Sequence, residues 1–480
     1  MNLALLDDLR LEANTKLNPS NKGMLGQFMT PASVAQFMAS ILNHTNDYSE
    51  ANLLDCGAGI GTLSIAAVNT NINIRSIEQW EIDPIMRKYL ESNVKALGVP
   101  YIIHGNDFIE DAVKNLTEDT GTRFTHAIIN PPYKKINSNS AHRKLLRSVG
   151  IETVNLYTAF LALTILLMKD GGRIVAIIPR SFCNGTYYKP FREIMLKHCS
   201  IEWLHLFESR ISTFKDDDVL QENIIISLVK NKPCILVNVS SSHGNQLDNI
   251  KVTTFKPSEI VHENDPEKFI RFPTSDVFFE DNQLFQHFLI ELGVQVSTGP
   301  IVDFRVRELL IKDIADATLP VVPIPYPHHF VDGEVEYPKE HKKYPNAIIN
   351  VDKLKKSFWP AGYYVLIKRF SSKEERRRIV ACLVTPTSFN SDLLAFENGW
   401  NVLHVQKHGL DAGIAAGLTC FLNSSEVDNY FRIFSGHTQV NATDLRNMRF
   451  PSTETLISLG KKFRPSMMQS KIDAIVESYK

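Results

Sequence analysis

Between residues 51 and 230 the chain alternates short apolar runs with segments of helical period, and this alternation constrains the fold more than any other feature. The spacing predicts strands over 51–55, 72–82, 101–104, 126–129, 173–178 and 222–230, with helices over 61–68, 84–97 and 156–168 between them. Strands joined through helices run parallel, and a parallel sheet is covered by helices on both faces. Just upstream, Val34, Phe37, Met38, Ile41 and Leu42 recur at helical spacing within 31–42, so that segment forms a helix with one buried face. Thr30 is its expected N-cap and Pro31 its expected first residue. The fold class of the first half is therefore α/β.

The alternation fades after about residue 240, where SSSHGNQLDN (240–249) has the polar, turn-rich composition of a boundary. The second half has shorter mixed segments and more Pro and Gly taken together, as expected of an α+β unit. The expected domains are thus 1–240 and 241–480, in line with a length of 480 residues. At 44% hydrophobic and 22% charged, the composition excludes collagen-like, disordered and disulfide-scaffold classes. No apolar run approaches the roughly 18–20 residues that span a bilayer. The start, MNLALLDDLRLEANTK, carries acids where a secretory signal needs a basic stretch. Six cysteines without a CxxC pair offer no zinc spacing, so a cytoplasmic, metal-free protein with free thiols is expected.

The segment LLDCGAGIGTLSIA (53–66) reads as strand, glycine loop, helix. Gly57, Gly59 and Gly61 permit a tight turn and a close backbone approach to a ligand, and the helix start offers free N–H groups. Glu81 follows 20 residues after Gly61, at the end of the next strand, where a carboxylate can accept hydrogen bonds from ribose hydroxyls. The spacing is GxGxG rather than the GxGxxG of dinucleotide sites, which argues against a dehydrogenase. S-adenosylmethionine has no pyrophosphate to cradle and suits the same strand, loop and helix.

A second motif, Asn130-Pro131-Pro132-Tyr133, follows the apolar strand THAII (125–129) and so falls at the carboxyl end of a sheet strand, where such folds place their sites. Two prolines stiffen the turn and remove backbone donors. The Asn130 amide oxygen and the Pro131 carbonyl can each accept a hydrogen bond from a single –NH2 group, orienting its nitrogen. Tyr133 supplies a flat face on which a base can stack.

Met29-Thr30-Pro31, DCGAGIG, WEID, GNDF and NPPY occur in this order. In that ordered set the chain resembles the gamma class of S-adenosylmethionine-dependent DNA amino-methyltransferases, the TaqI-like kind, most closely over residues 20–230. The second half resembles the recognition half of PstI/BsuBI-type restriction–modification methylases. The resemblance implies a Rossmann-like methyltransferase domain followed by a mixed α+β unit that recognises DNA. It implies that Thr30, Asp55, Gly57, Gly59 and Gly61 hold the methionine part of S-adenosylmethionine, and that Glu81 takes the ribose. Ile82, Asp107 and Phe108 would enclose the adenine, with Asp107 on its amino group. Asn130 and Pro131 would bind the target amino group, with Tyr133 stacking on a flipped base. A second stacking aromatic is expected upstream of a late strand, at Phe214 or, second, Phe207. Asn rather than Ser in the motif favours adenine N6 over cytosine N4. The implied partners are double-stranded DNA and a separately acting restriction endonuclease.

The net charge of -1 conceals two basic stretches. YKKINSNSAHRKLLR (133–147) holds five basic residues and no acid, and Lys134, Lys135, Arg143 and Lys144 are candidate phosphate contacts. Residues 339–378 hold 12 basic and 4 acidic residues, with Lys368, Arg369, Arg376 and Arg377 as candidate DNA contacts. Two alternatives stand beside DNA methylation: transfer to RNA or to a protein glutamine, and a DNA-binding module on an inactive methylase fold.

Overall fold

The computed structural model describes residues 3–16, 29–44, 48–119, 124–207, 223–242, 247, 250–273, 282–371, 375–435 and 439–480. It forms two compact units, Met1–Thr274 and Ser275–Lys480.

In the first unit the strands are β1 (Ala51–Cys56), β2 (Ile74–Trp80), β3 (Tyr101–His104), β4 (Phe124–Ile129), β5 (Met168–Pro179), β6 (Cys199–Phe207), β7 (Asn223–Lys230), β8 (Val237–Ser242) and β9 (Val252–Phe255). Among the described residues they make one sheet in the order β3-β2-β1-β4-β5-β7-β6-β8-β9. The first five strands pair in parallel. β7 is antiparallel to both β5 and β6. β4 and β7 are buried along their whole length, which is why they read as unbroken apolar runs.

Alternate residues of these strands feed two cores. Leu54, Cys56, Ala127, Ile129, Ile174 and Ile178 face one, with α5 (Phe108–Thr117), α7 (Leu156–Leu167) and α8 (Lys189–His198) packed on it. Leu53, Ile77, Ile128, Val175, Ile177 and Ile225 face the other, covered by α2 (Ala32–Leu42), α3 (Thr62–Val68) and α4 (Pro84–Lys95). The unit also holds α1 (Leu3–Lys16), α6 (Ala141–Ser148) and a short helix at Pro257–Ile260.

Two expectations are corrected here. The helix after Thr30 begins at Ala32 with Pro31 at its N-cap, so Thr30 is not the cap. Its hydroxyl instead accepts a hydrogen bond from Asn130. The first unit also runs past residue 240, to Thr274. The serine tract has the composition of a linker, yet it forms β8 beside β6. Its hydroxyls satisfy buried polar rings: Trp203 Nε1 donates to Ser240 Oγ at 2.9 Å, and His205 contacts Ser240 and Ser242 at 2.9 and 3.0 Å. Arg192, fully buried, ties the same region down by donating to the carbonyls of Phe182, Gly185 and Glu267 at 2.8, 2.7 and 2.9 Å.

The second unit is α+β. Its main antiparallel sheet orders Gln295–Thr298, Trp400–His404, Tyr364–Lys368 and Ala381–Val384. Of the basic stretch 339–378, Tyr364–Lys368 forms a strand of this sheet, and Arg369, Arg376 and Arg377 follow it. Helices Ala412–Leu422 and Thr453–Lys462 meet at glycines, where a Cβ on Gly417 would collide with the Leu456 carbonyl.

Arg192→Met should destabilise the protein by about 3 kcal/mol, because three carbonyls, two of them buried, lose a charged donor. Chemical denaturation measures this, and a loss under about 1 kcal/mol would contradict the assigned role.

Candidate functional site

The carboxyl ends of β1, β2, β3 and β4 surround a cavity of about 350 Å³. Parallel pairing of β1 with β4, Leu53 opposite His126, sets the loops that follow them side by side. A Cβ on Gly57 would lie 3.7 Å from the Asn130 carbonyl oxygen and 3.8 Å from Pro132 Cδ. The glycine loop and the NPPY turn thus lie side by side, although the sequence separates them widely.

The loop has positive φ at Gly57 (82°), Gly59 (57°) and Gly61 (87°). Side chains rarely adopt this region, which accounts for the residue type at each position. At Gly61 space is a second reason, since a Cβ would approach Leu90 Cδ1 to 2.8 Å. Gly57 and Ala58 both donate their N–H to the Trp80 carbonyl at 2.9 Å, and Gly59 donates to Glu81 Oε2 at 2.8 Å. The loop is therefore fixed to the end of β2 before any ligand arrives.

Glu81 lies at the cavity wall with its other oxygen, Oε1, accepting the Asp83 N–H at 2.8 Å. Burial pushes its carboxyl up to about 7, against the opposing effect of the two backbone donors. Arg87 Nη1 holds the carbonyls of Glu81 and Gly105 at 3.1 and 3.0 Å, joining the acid to the GNDF segment. Asp107 caps α5, its Oδ1 accepting from Ile109 N and Glu110 N at 2.8 and 3.3 Å. Its Oδ2 contacts His142 Nε2 at 3.1 Å.

Asn130 sits on the opposite wall with its amide anchored at both ends. Nδ2 donates to Thr30 Oγ1 at 2.9 Å, and Oδ1 lies 3.0 Å from the Tyr133 hydroxyl. That hydroxyl is also 3.1 Å from the Ile177 carbonyl. Burial holds the Tyr133 phenol well above its usual range, so it remains a neutral donor.

Most of the expected cofactor residues meet at this cavity: Thr30, Gly57, Gly59, Glu81, Ile82, Asp107 and Phe108 line it, together with Asn130. Asp55 and Gly61 are not among its lining residues. The Asp55 carboxylate accepts from Ser64 Oγ at 2.7 Å, and Ser64 accepts from Gln79 Nε2 at 2.9 Å, so it braces the loop from behind. Pro131 is buried and Tyr133 packs its ring edge-on against Tyr157, with neither side chain forming cavity wall. Phe207 is a core residue at the end of β6, in edge contact with His205. Phe214 lies outside the described residues.

The basic candidates divide. Lys134 and Lys135 are exposed at the cavity mouth, and Lys144 is exposed on α6. Arg143 is instead buried and paired with Glu152, which also holds Arg147 at 2.7 Å. In the second unit Arg376 is exposed, whereas Lys368 pairs with Glu375 at 3.0 Å. Arg369 donates to the Asn398 carbonyl at 3.1 Å. Arg377 donates to the Ser424 carbonyl at 2.9 Å and to Gln469, so its charge closes a helix end rather than facing solvent.

Trp80, Phe160 and His142 are among the wall residues that escaped the sequence reading. Trp80 stacks on His104 with centroids 4.1 Å apart, and Phe108 bridges it to Phe160 at 5.3 and 4.9 Å. Trp80 stands immediately before Glu81 in WEID, a signal that could have found it. Phe160 carries none, since α7 is apolar all round. Among the described residues no cluster of His, Cys, Asp and Glu has the arrangement of a metal site. No described helix is long and apolar enough to cross a membrane.

Residues 60–214 match the family described as Eco57I restriction-modification methylase. The chain is 50% identical to the type II methyltransferase M.BsuBI of Bacillus subtilis, over 96% of this chain and 93% of that protein. It is 38% identical to the type II methyltransferase M.PstI of Providencia stuartii, over 98% and 96%. The type ISP restriction–modification enzyme LlaGI has a related fold, with a TM-score of 0.50, 11% identity, and coverage of 91% of this chain and 54% of that one. Near full-length identity at this level, with the motifs converging on one cavity, makes the chain a member of the type II methyltransferase family of restriction–modification systems.

Proposed function

We propose that this protein transfers a methyl group from S-adenosylmethionine to the N6 amino group of an adenine flipped out of duplex DNA. The observation that carries the reading is the anchored Asn130 amide on one wall of a cavity whose other wall holds Glu81 and Asp107. The residues present fit the cofactor. The cavity volume suits a nucleoside-sized ligand. The buried Glu81 and half-buried Asp107 carboxylates stand where hydroxyl and amino donors need acceptors, between apolar walls formed by Ile82, Trp80 and Phe108.

S-adenosylmethionine, when bound, supplies an electrophilic methyl group on a sulfonium. The chain's own task is to hold an amine in line with it and to exclude water. With Nδ2 committed to Thr30, the Asn130 amide cannot turn over, so its oxygen keeps one orientation. That oxygen and the Pro131 carbonyl accept the two N–H bonds of the target amine. They direct its lone pair and stabilise the positive charge that develops on nitrogen. Extrusion of the base costs a few kcal/mol, which stacking in the pocket offsets. Lys134 and Lys135, exposed at the mouth, suit the phosphates flanking the extruded nucleotide. A separately acting restriction endonuclease of the same specificity completes this reading.

Labelled S-adenosylmethionine incubated with diverse duplex DNA should yield N6-methyladenine. Label confined to RNA or to protein glutamine would reject the proposal. Asn130→Ala should lower kcat by about 10²–10³-fold, the scale of losing one oriented acceptor, with cofactor Kd changed less than about threefold. Cofactor affinity should also depend on pH. Glu81 accepts from two ribose hydroxyls most strongly when deprotonated, and burial pushes its carboxyl up to about 7. Affinity should therefore be flat above pH 7 and fall as pH drops below it, by up to about tenfold per unit. Calorimetric titration across pH 5.5–8.5 reads this, and Glu81→Gln should level the profile.

A further inference from the structure

We infer that His142 is a positioning residue for cofactor recognition, acting on the adenine end through Asp107. The inference rests on the reading of Asp107 as the acceptor for the cofactor's adenine amino group. Both side chains line the cavity, and His142 Nε2 lies 3.1 Å from Asp107 Oδ2. A carboxylate oxygen only accepts, so Nε2 carries the proton in this pair.

The arrangement divides the Asp107 carboxylate between two tasks. Oδ1 is committed to the N–H groups of Ile109 and Glu110 at the start of α5. That bond fixes where the carboxylate stands but leaves its plane free to tilt. Oδ2 is the oxygen left for a ligand, and it keeps a lone pair after accepting from His142. His142 pins Oδ2 and thereby sets the direction of that lone pair. An acceptor held in place discriminates a donor from an acceptor on the ligand more sharply than one that reorients, because a mobile carboxylate relaxes away from a mismatch.

The position of His142 gives the contact a second meaning. It is carried by α6, which Ser140 caps by accepting from Arg143 N. This helix ends the basic stretch that begins at Lys134. The segment bearing the candidate phosphate contacts is thus joined directly to the cofactor's adenine pocket.

The test uses two ligands that differ at one group, S-adenosylhomocysteine and S-inosylhomocysteine, in which a carbonyl replaces the amino group. Calorimetry on the full-length protein gives the ratio of their dissociation constants. The wild type should favour the adenosyl ligand by about tenfold or more, the scale of a hydrogen bond to a charged group. In His142→Ala the ratio should fall to about threefold or less. His142→Gln, which can still donate to Oδ2, should restore most of it. His142 has 34% of its side chain exposed, so both variants should fold, as thermal denaturation will verify. A wild-type ratio of tenfold that is unchanged in His142→Ala overturns the proposal alone, even if both ligands bind more weakly there. A wild type that does not discriminate overturns the reading of Asp107, and the proposal with it.

Discussion

The parallel pairing of β1 with β4 is the contact on which the rest of the site depends. Each strand ends in a turn that is unremarkable alone, a glycine loop after one and a proline pair after the other. Hydrogen bonding between the strands places both turns at the same edge of the sheet, so close that a side chain at Gly57 would touch Pro132. Apolar residues at alternate positions fix the register. A slip of one residue would expose Leu53 and Ile128 to the wrong layer and separate the turns. The sheet therefore fixes the geometry of the site, and the loops supply its chemistry.

Preorganisation runs through the first unit as a chain of committed hydrogen bonds. Glu81 is held by Gly59 and Asp83, Asp107 by its own helix start and His142, and Asn130 by Thr30 and Tyr133. Each group that would face a ligand is oriented by a neighbour before the ligand arrives, which lowers the cost of ordering on binding. Asp55 carries the same logic one layer deeper. It is fully buried, bonded to Ser64, and raised to about 7 by burial, so it braces the loop at an electrostatic cost.

The fold was legible in the sequence where periodicity was strong. The strands and helices read between 51 and 230 appear with ends shifted by a few residues, β5, for instance, running back to Met168 through Gly171 and Gly172, whereas β6, α5, α6 and α8 were not read. The domain boundary was misplaced because Ser240 and Ser242 look like linker residues but serve Trp203 and His205, which lie far back along the chain. The site was legible where a residue type had a local reason. Gly57 and Gly59 need positive φ, and Glu81 ends a strand beside the loop. Phe160 had no local reason, because every face of its helix is apolar.

By itself the sequence determined the parallel part of the sheet, the two turns at its carboxyl edge and the residue types those turns require, since each follows from spacing along a few neighbouring residues; that β7 runs antiparallel beside β5 was set by the tertiary fold. Tertiary structure decided which side chains face the cavity and which charges remain free. Arg143 and Arg377 count as basic in any sequence window, yet Glu152 claims one and the Ser424 carbonyl and Gln469 claim the other. Lys134, Lys135, Lys144 and Arg376 stay exposed. The physical reason is burial: a charge taken out of water must find a partner, and that partner is chosen by packing between distant segments, which no local pattern records.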